Sequence, residues 1–288
     1  MPGPRFFLAF AVLTTASCLV ASDYQTSLEE WRRRREARLV AEDGWLTVAG
    51  LFWLQTGANT LPAPAPAGIG AFHLRSGKIA FQPGGGPAVT AGSRPVAGPL
   101  ELQPDVPGPP TVLTIGDLTL YVIRRGERFA VRLKDKNSKL RREFAGLRWF
   151  PADPAWRVRA RFVPYPTPRM LSIATIHGDR DQQPSPGYAA FTRNGREHRL
   201  VPTAEGGRLF IVFRDLTAGK QTYPAGRFLY ADMPQDGEVV LDFNQAYNPP
   251  CAFNPFTTCP VPLRENRLSF PVPAGEQYPP PTRRSLLR

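Results

Sequence analysis

FRDLTAGKQTYPAGRFLYADMPQDGEVVLDFNQAYNPPCAFNPFTTCPVPLRENRLSFPVPAGE, residues 213–276, sets polar side chains directly beside strand-like apolar runs. Leu209 to Phe213, at its leading edge, is a continuous apolar run of the kind a fully buried strand needs. Arg214 and Asp215 would then mark where that strand emerges at a polar surface. Gly219 can take positive φ, so the chain is expected to turn back as a hairpin. Thr222, Tyr223 and Arg227 fall on the returning arm, with Arg227 in reach of Asp215. Farther on, Val239 to Asn244 alternates. Period two puts Val239, Leu241 and Phe243 on one face and Val240, Asp242 and Asn244 on the other.

The same periodicity recurs toward the N-terminus. In Arg128 to Lys134, Phe129, Val131 and Leu133 are expected to face a core, and Arg128, Arg132 and Lys134 to face water. Further short strands read around Ala71–Leu74, Lys78–Phe81, Val112–Ile115 and Leu118–Ile123, separated by Gly and Pro. Their spacing predicts a mainly β fold, an antiparallel sandwich or open barrel, over residues 43–278. Asp23 to Glu42 reads as an N-terminal helix. Ser27 is its expected cap, with Glu30 three residues on, and Leu28, Trp31 and Leu39 share a stripe. Arg157, Arg159 and Arg161 alternate with Val158, Ala160 and Phe162, so three guanidiniums line one strand face, either an outer sheet surface or an anion-binding face.

Residues 1–22 read as an export signal: Arg5 precedes an apolar stretch from Phe6 to Leu13, and Val20-Ala-Ser22 offers a cleavage pattern. Cys18 after Thr-Ala-Ser17 is an alternative lipid-attachment site. Either route places the chain in the periplasm or outside the cell. The formal net charge is +12, and removing Arg5 with the leader makes it 12 − 1 = +11. That balance suits peripheral contact with anionic envelope surfaces, and an exported chain is not expected to bind nucleic acid. The last residues, 279–288, form a basic, proline-rich tail expected to be disordered.

Signatures of common chemistries are missing from the sequence. It has no Gly-x-Ser-x-Gly elbow, His-Glu-x-x-His pair, phosphate loop or dinucleotide fingerprint. His73, His177 and His198 are scattered, and no cofactor or metal site is predicted. Cys251 and Cys259 enclose a short loop rich in Pro and Phe, and in an oxidising compartment they are expected to form a disulfide. A thiol pair, or half of a metal site, is the competing reading.

Several motifs together carry a resemblance: GWLTVAGLFWLQTGAN, EFAGLRWFP, FRDLTAGKQTYPAGRFLY and LDFNQAYNPPCAFNPFTTCPVP, followed by AGE. With them the chain, from about Trp31 to Glu276, resembles the uncharacterised bacterial family catalogued as domain of unknown function 1684. Leu263 departs from the Cys-Pro-x-Pro-Pro expected of that family. The resemblance implies a shared fold and a shared pocket, and it assigns no chemistry.

The candidate binding residues are therefore chosen on their own merits: Asp215, Thr222, Tyr223, Arg227, Asp242, Asn244, Tyr247 and Glu276. If they converge, they could hold a small polar or anionic ligand such as a saccharide or envelope component. Two or three carboxylates near one Arg could alternatively support hydrolysis, one acid protonated and another ionised. In a third reading the same groups are structural: Asp215 caps the hairpin or pairs with Arg227, and Tyr247-Asn248-Pro-Pro is a turn with Asn248 bonding its own backbone.

Overall fold

The computed structural model describes residues 10–278, with side chains from Asp23 onward. The expected leader over residues 1–22, including Cys18, and the expected tail over 279–288 lie outside the residues described in that detail. The described residues begin with a helix, Phe10–Val40, and are otherwise mainly β, with antiparallel sheets as expected. Leu28 and Leu39 are fully buried on the expected stripe. Ser27 does not cap the helix, because its hydroxyl donates to the Tyr24 carbonyl 2.8 Å away, within a helix that begins farther upstream.

Two apolar clusters divide the β region. In the N-terminal half, Val48–Trp53 pairs with Arg128–Asp135, which pairs with Leu118–Arg125, in a six-stranded sheet. A four-stranded sheet built on Gly70–Arg75 and Lys78–Pro83 faces it. Phe72, Phe81, Leu120, Phe129, Val131 and Leu133 fill the space between. In the C-terminal half, the long strand Arg157–Ala174 is flanked by Arg180–Arg193 and Glu238–Asp242. Its register breaks between Pro164 and Arg169, where successive prolines leave the ladder without donors. Phe162, Phe191, Ile211, Phe213, Leu241 and Phe243 form this second core.

The hairpin forms with a longer connection than expected: of the three residues read onto the returning arm, Arg227 begins the strand, whereas Thr222 and Tyr223 lie in the turn region before it. Arg208–Phe213 pairs antiparallel with Arg227–Ala231, Phe213 opposite Arg227, and Gly219 holds φ at 80° in the connection. Its end, however, does not emerge at a polar surface: Asp215 is only 3% exposed, because the segment around Val272 crosses over it.

Arg132 overturns the alternation read from its strand. It is 2% exposed, beneath Trp45, whose ring centroid is 5.2 Å from the guanidinium carbon. That face of the sheet meets the C-terminal half. Asn254 Nδ2 donates to the Trp45 carbonyl (3.0 Å), and Arg125 Nε donates to Thr258 Oγ1 (2.8 Å). By contrast, Arg159 and Arg161 lie on an outer sheet surface, paired with Glu238 and Glu197.

Phe243 sits among Trp156, Phe191 and Phe213, at ring-centroid distances of 6.1, 6.1 and 5.4 Å, and is fully buried. Phe243→Ala should lower stability by about 3–5 kcal/mol, read as a fall in the urea midpoint. A change under about 1 kcal/mol would mean that this ring does not anchor the C-terminal core.

Candidate functional site

The eight candidate residues do not converge on one pocket. Asp215 and Arg227 form a buried pair, Oδ2 to Nη2 at 2.9 Å, with side chains 2% and 1% exposed. The remaining carboxylate capacity is used locally: Oδ1 accepts from Thr217 N (2.9 Å), Thr217 Oγ1 (2.6 Å) and Val272 N (3.0 Å). Arg227 also donates to the Val272 carbonyl at 2.9 Å and to the Ala274 carbonyl. Thr222 completes the cluster through its hydroxyl contact with Thr217. Tyr223 lies outside it and donates to the Cys251 carbonyl (3.1 Å).

Asp242 and Asn244 meet each other through a one-turn helix and not along a strand. Asp242 ends the strand Glu238–Asp242 and caps the turn Phe243–Gln245, its Oδ1 accepting from Asn244 N at 3.1 Å. The Tyr24 hydroxyl of the N-terminal helix donates to both Asp242 oxygens at 3.0 Å, and Asn244 Nδ2 donates to Tyr24 Oη (2.9 Å) and to the Asp153 carbonyl (2.9 Å). Burial raises the Asp242 pKa above the usual aspartate range, while the Tyr24 and Asn244 hydrogen bonds oppose it.

Glu276 makes a third buried network. Gly275, at φ 80°, brings the chain against Ala246, where a Cβ would run into the Ala246 carbonyl oxygen. Glu276, fully buried, then accepts from Asn248 Nδ2 (2.8 Å), Asn248 N (3.2 Å) and Arg35 Nε (3.5 Å). The Asn248 side chain thus bonds Glu276 and the Gln277 carbonyl, in place of its own backbone. Desolvation pushes the Glu276 pKa up, with Arg35 opposing.

A concave space lies elsewhere. A cleft of about 1310 Å³ opens between the two halves, and among the eight candidates, Tyr247 lines it. One wall is the N-terminal helix, through Trp31, Arg35 and Arg38. A second is the face of the hairpin that turns away from the core, with Phe210, Phe228 and Tyr230, and a third brings Asp105, Arg124 and Arg125 from the N-terminal sheet. The Tyr230 and Tyr247 rings are nearly parallel, 11° apart with centroids 6.5 Å from each other. Arg35 lies 4.6 Å over Tyr247 and Arg208 lies 5.4 Å over Tyr230. Burial pushes the Tyr247 phenol up to about 12, so it enters any contact as a neutral ring. Arg38 is exposed and, among the described residues, makes no ion pair. Asp215, Asp242 and Glu276 are not among the lining residues, so the carboxylate pair a hydrolase would use is not presented by them.

Sequence reasoning missed these walls although a signal was present. In Arg227–Ala231, period two separates Arg227, Leu229 and Ala231 from Phe228 and Tyr230. The first set is buried in the core half, and the second faces the cleft. The run Leu209 to Phe213 is expected to be buried on both faces, but only Leu209, Ile211 and Phe213 enter the core, while Phe210 and Val212 line the cleft.

Comparison with known proteins bears on this region. A family model described as "Protein of unknown function (DUF1684)" matches residues 142–277. A solution NMR structure of an uncharacterized protein from Haloarcula marismortui is 33% identical, covering 48% of this chain and 78% of that one, with a TM-score of 0.41. The chain belongs to the DUF1684 family. No match is found among curated proteins. The DUF1684 segment holds the hairpin, Tyr247 and both loop cysteines. The helix wall and the stretch GWLTVAGLFWLQTGAN lie before it, so the matched span is shorter than the resemblance read from Trp31 onward. Within the segment Cys251 and Cys259 are free thiols, with Cys251 N donating to Cys259 Sγ at 3.2 Å.

Removing Arg227 would strand Asp215 without water or a cation. Arg227→Met should therefore cost about 3–5 kcal/mol by urea unfolding, and adding Asp215→Leu should recover part of that loss. A double variant less stable than Arg227→Met would refute the account of the pair. For Asp242, a folded pKa above the unfolded one means that the folded state holds the proton more tightly. Its contribution is full below the unfolded pKa and is lost as pH rises through the folded value. Asp242→Asn should remove that component, so the stability difference between wild type and variant should change as pH rises from 4 to 8, with the wild type losing ground. A pH-independent difference would contradict the assigned direction.

Proposed function

We propose that this DUF1684 protein is an exported binding protein whose cleft takes a small anionic ligand with a flat apolar face, such as an acidic saccharide or an envelope fragment. The observation that carries this is the meeting of aromatic faces and a guanidinium without an ion-pair partner in one concave space: Tyr230 and Tyr247 present rings, and Arg38 stands on the adjoining helix wall. Aromatic rings favour the apolar face of a sugar or planar group, and an unpaired arginine can pair a carboxylate or phosphate in two-point fashion. Export is supported by the charge and apolar pattern of residues 1–22. Cleavage after Ser22 would leave Tyr24, one residue from the new terminus, to bond Asp242 as it does here. In an oxidising compartment Cys251 and Cys259 would close a bridge beneath the cleft.

Titration calorimetry with uronic-acid oligosaccharides and their neutral counterparts tests the reading. The acidic compounds should bind, and Tyr247→Ala and Arg38→Glu should each weaken binding by about tenfold or more, roughly 1.4 kcal/mol. Equal affinity for neutral and acidic sugars, or full affinity in both variants, would sink it.

A further inference from the structure

Arg132 is a buried cation without a buried counter-charge. Its Nε and Nη2 lack hydrogen-bond partners, it makes no ion pair among the described residues, and its Nη1 reaches only the Tyr121 hydroxyl, at 3.4 Å. Leaving guanidinium N–H groups unpaired in a dry setting is costly, so a nearby anion is expected. The loop from Cys251 to Cys259 supplies the candidate. It is pressed against this face by Asn254 on the Trp45 carbonyl, Thr258 on Arg125 and His177 on the Thr257 carbonyl. Cys259 lines the cleft, 4% exposed. Its sulfur receives the Cys251 N–H at 3.2 Å and stands 3.6 Å from Thr257 Oγ1, and Cys251 packs against the small cluster that holds Cys259.

We propose that Cys251 and Cys259 form a thiol–disulfide exchange pair at the floor of the cleft, with Cys259 the attacking thiolate and Arg132 its buried counter-charge, acting on small disulfides that enter the cleft. The pair is asymmetric. Hydrogen bonding from Cys251 lowers the Cys259 pKa, with Thr257 and Arg132 adding to it, and the same contact raises that of Cys251. The charged and titratable groups facing Cys259 are Cys251, Arg132 and Tyr223, with Arg125 held one residue away on Thr258.

The exchange balances without a metal or flavin. Cys259 thiolate attacks one sulfur of R–S–S–R, the S–S bond breaks, and one thiolate leaves to take up a proton. Cys251 then gives up its proton and attacks Cys259 Sγ, expelling the second thiolate. The two cysteines lose two electrons, and the small disulfide gains them as two thiols. Cys259 is assigned as the first nucleophile because it lines the cleft, which Cys251 does not, and because its sulfur receives the Cys251 N–H. The inference uses the cleft as an entry path and is independent of whether the cleft also binds an acidic saccharide.

Glutathione disulfide is a suitable probe, with the full chain carrying Cys18→Ser and its thiols reduced beforehand. The protein should release two glutathiones per chain and gain the Cys251–Cys259 bridge. Cys251→Ser should stop at one glutathione attached to Cys259, and Cys259→Ser should react about tenfold or more slowly than Cys251→Ser. Equal rates in the two variants, no adduct at Cys259, or a bridge that excess glutathione cannot reopen would each overturn the proposal; the last would leave an inert staple. For Arg132, the pH midpoint of Cys259 alkylation by iodoacetamide is read in the Cys251→Ser background. It should lie below the free-thiol value of about 8.5, rise with Arg132→Met and stay low with Arg132→Lys. A midpoint at or above the free-thiol value, or one that Arg132→Met leaves unmoved, would remove Arg132 from its role.

Discussion

Arg227 is taken wholly out of water, and it gathers acceptors for its two terminal nitrogens from two distant parts of the chain. Asp215 comes from the other arm of its own hairpin, and the Val272 and Ala274 carbonyls come from the segment that follows the last loop. These bonds pin that segment across the hairpin. The next two residues, Gly275 and Glu276, are thereby delivered against Ala246 and Asn248, where Glu276 receives Arg35 from the N-terminal helix. One buried pair therefore positions the carboxylate that docks the helix, and the docked helix becomes a wall of the cleft.

The cleft owes its character to strands that are apolar on both faces. Leu209, Ile211 and Phe213 enter the C-terminal core, while Phe210 and Val212 face the other way, toward Phe228 and Cys259. A strand of this kind needs cover on both sides. The second cover is partial, supplied by the helix and by the loop that carries the cysteines, and the remaining gap is the cleft. The strong positive charge of the chain is spread unevenly around it. Arg159, Arg161 and Arg199 are spent in pairs with surface carboxylates, whereas Arg38 faces the cleft unpaired and Arg132 lies beneath its floor.

These placements explain why the polar residues that stood out in the sequence are mostly structural. Asp215, Asp242 and Glu276 are conspicuous because each interrupts an apolar context, and a carboxylate in such a context survives only when its lone pairs are filled. Asp215 is filled by Thr217, Val272 and Arg227, Asp242 by Tyr24 and Asn244, and Glu276 by Asn248 and Arg35. Full satisfaction leaves them little to offer a ligand. The aromatic wall drew less notice, since Phe228 and Tyr230 look like ordinary strand residues.

By itself the sequence determined what is local: the alternation of Val239 to Phe243, the turn at Gly219, the contact of Arg227 with Asp215, the helical stripe of Leu28 and Leu39, and the family. Each of these depends on residues a few positions apart or on a period the backbone imposes. Only the tertiary structure decided which of two similar faces would be covered. The alternation of its strand predicts a solvated Arg132, yet a loop more than a hundred residues later closes over that face. Tyr24 and Arg35 could not be assigned to the networks of Asp242 and Glu276, which lie 218 and 241 residues away. Burial and charge pairing at such separations are set by how whole sheets come together, and no short-range pattern encodes that.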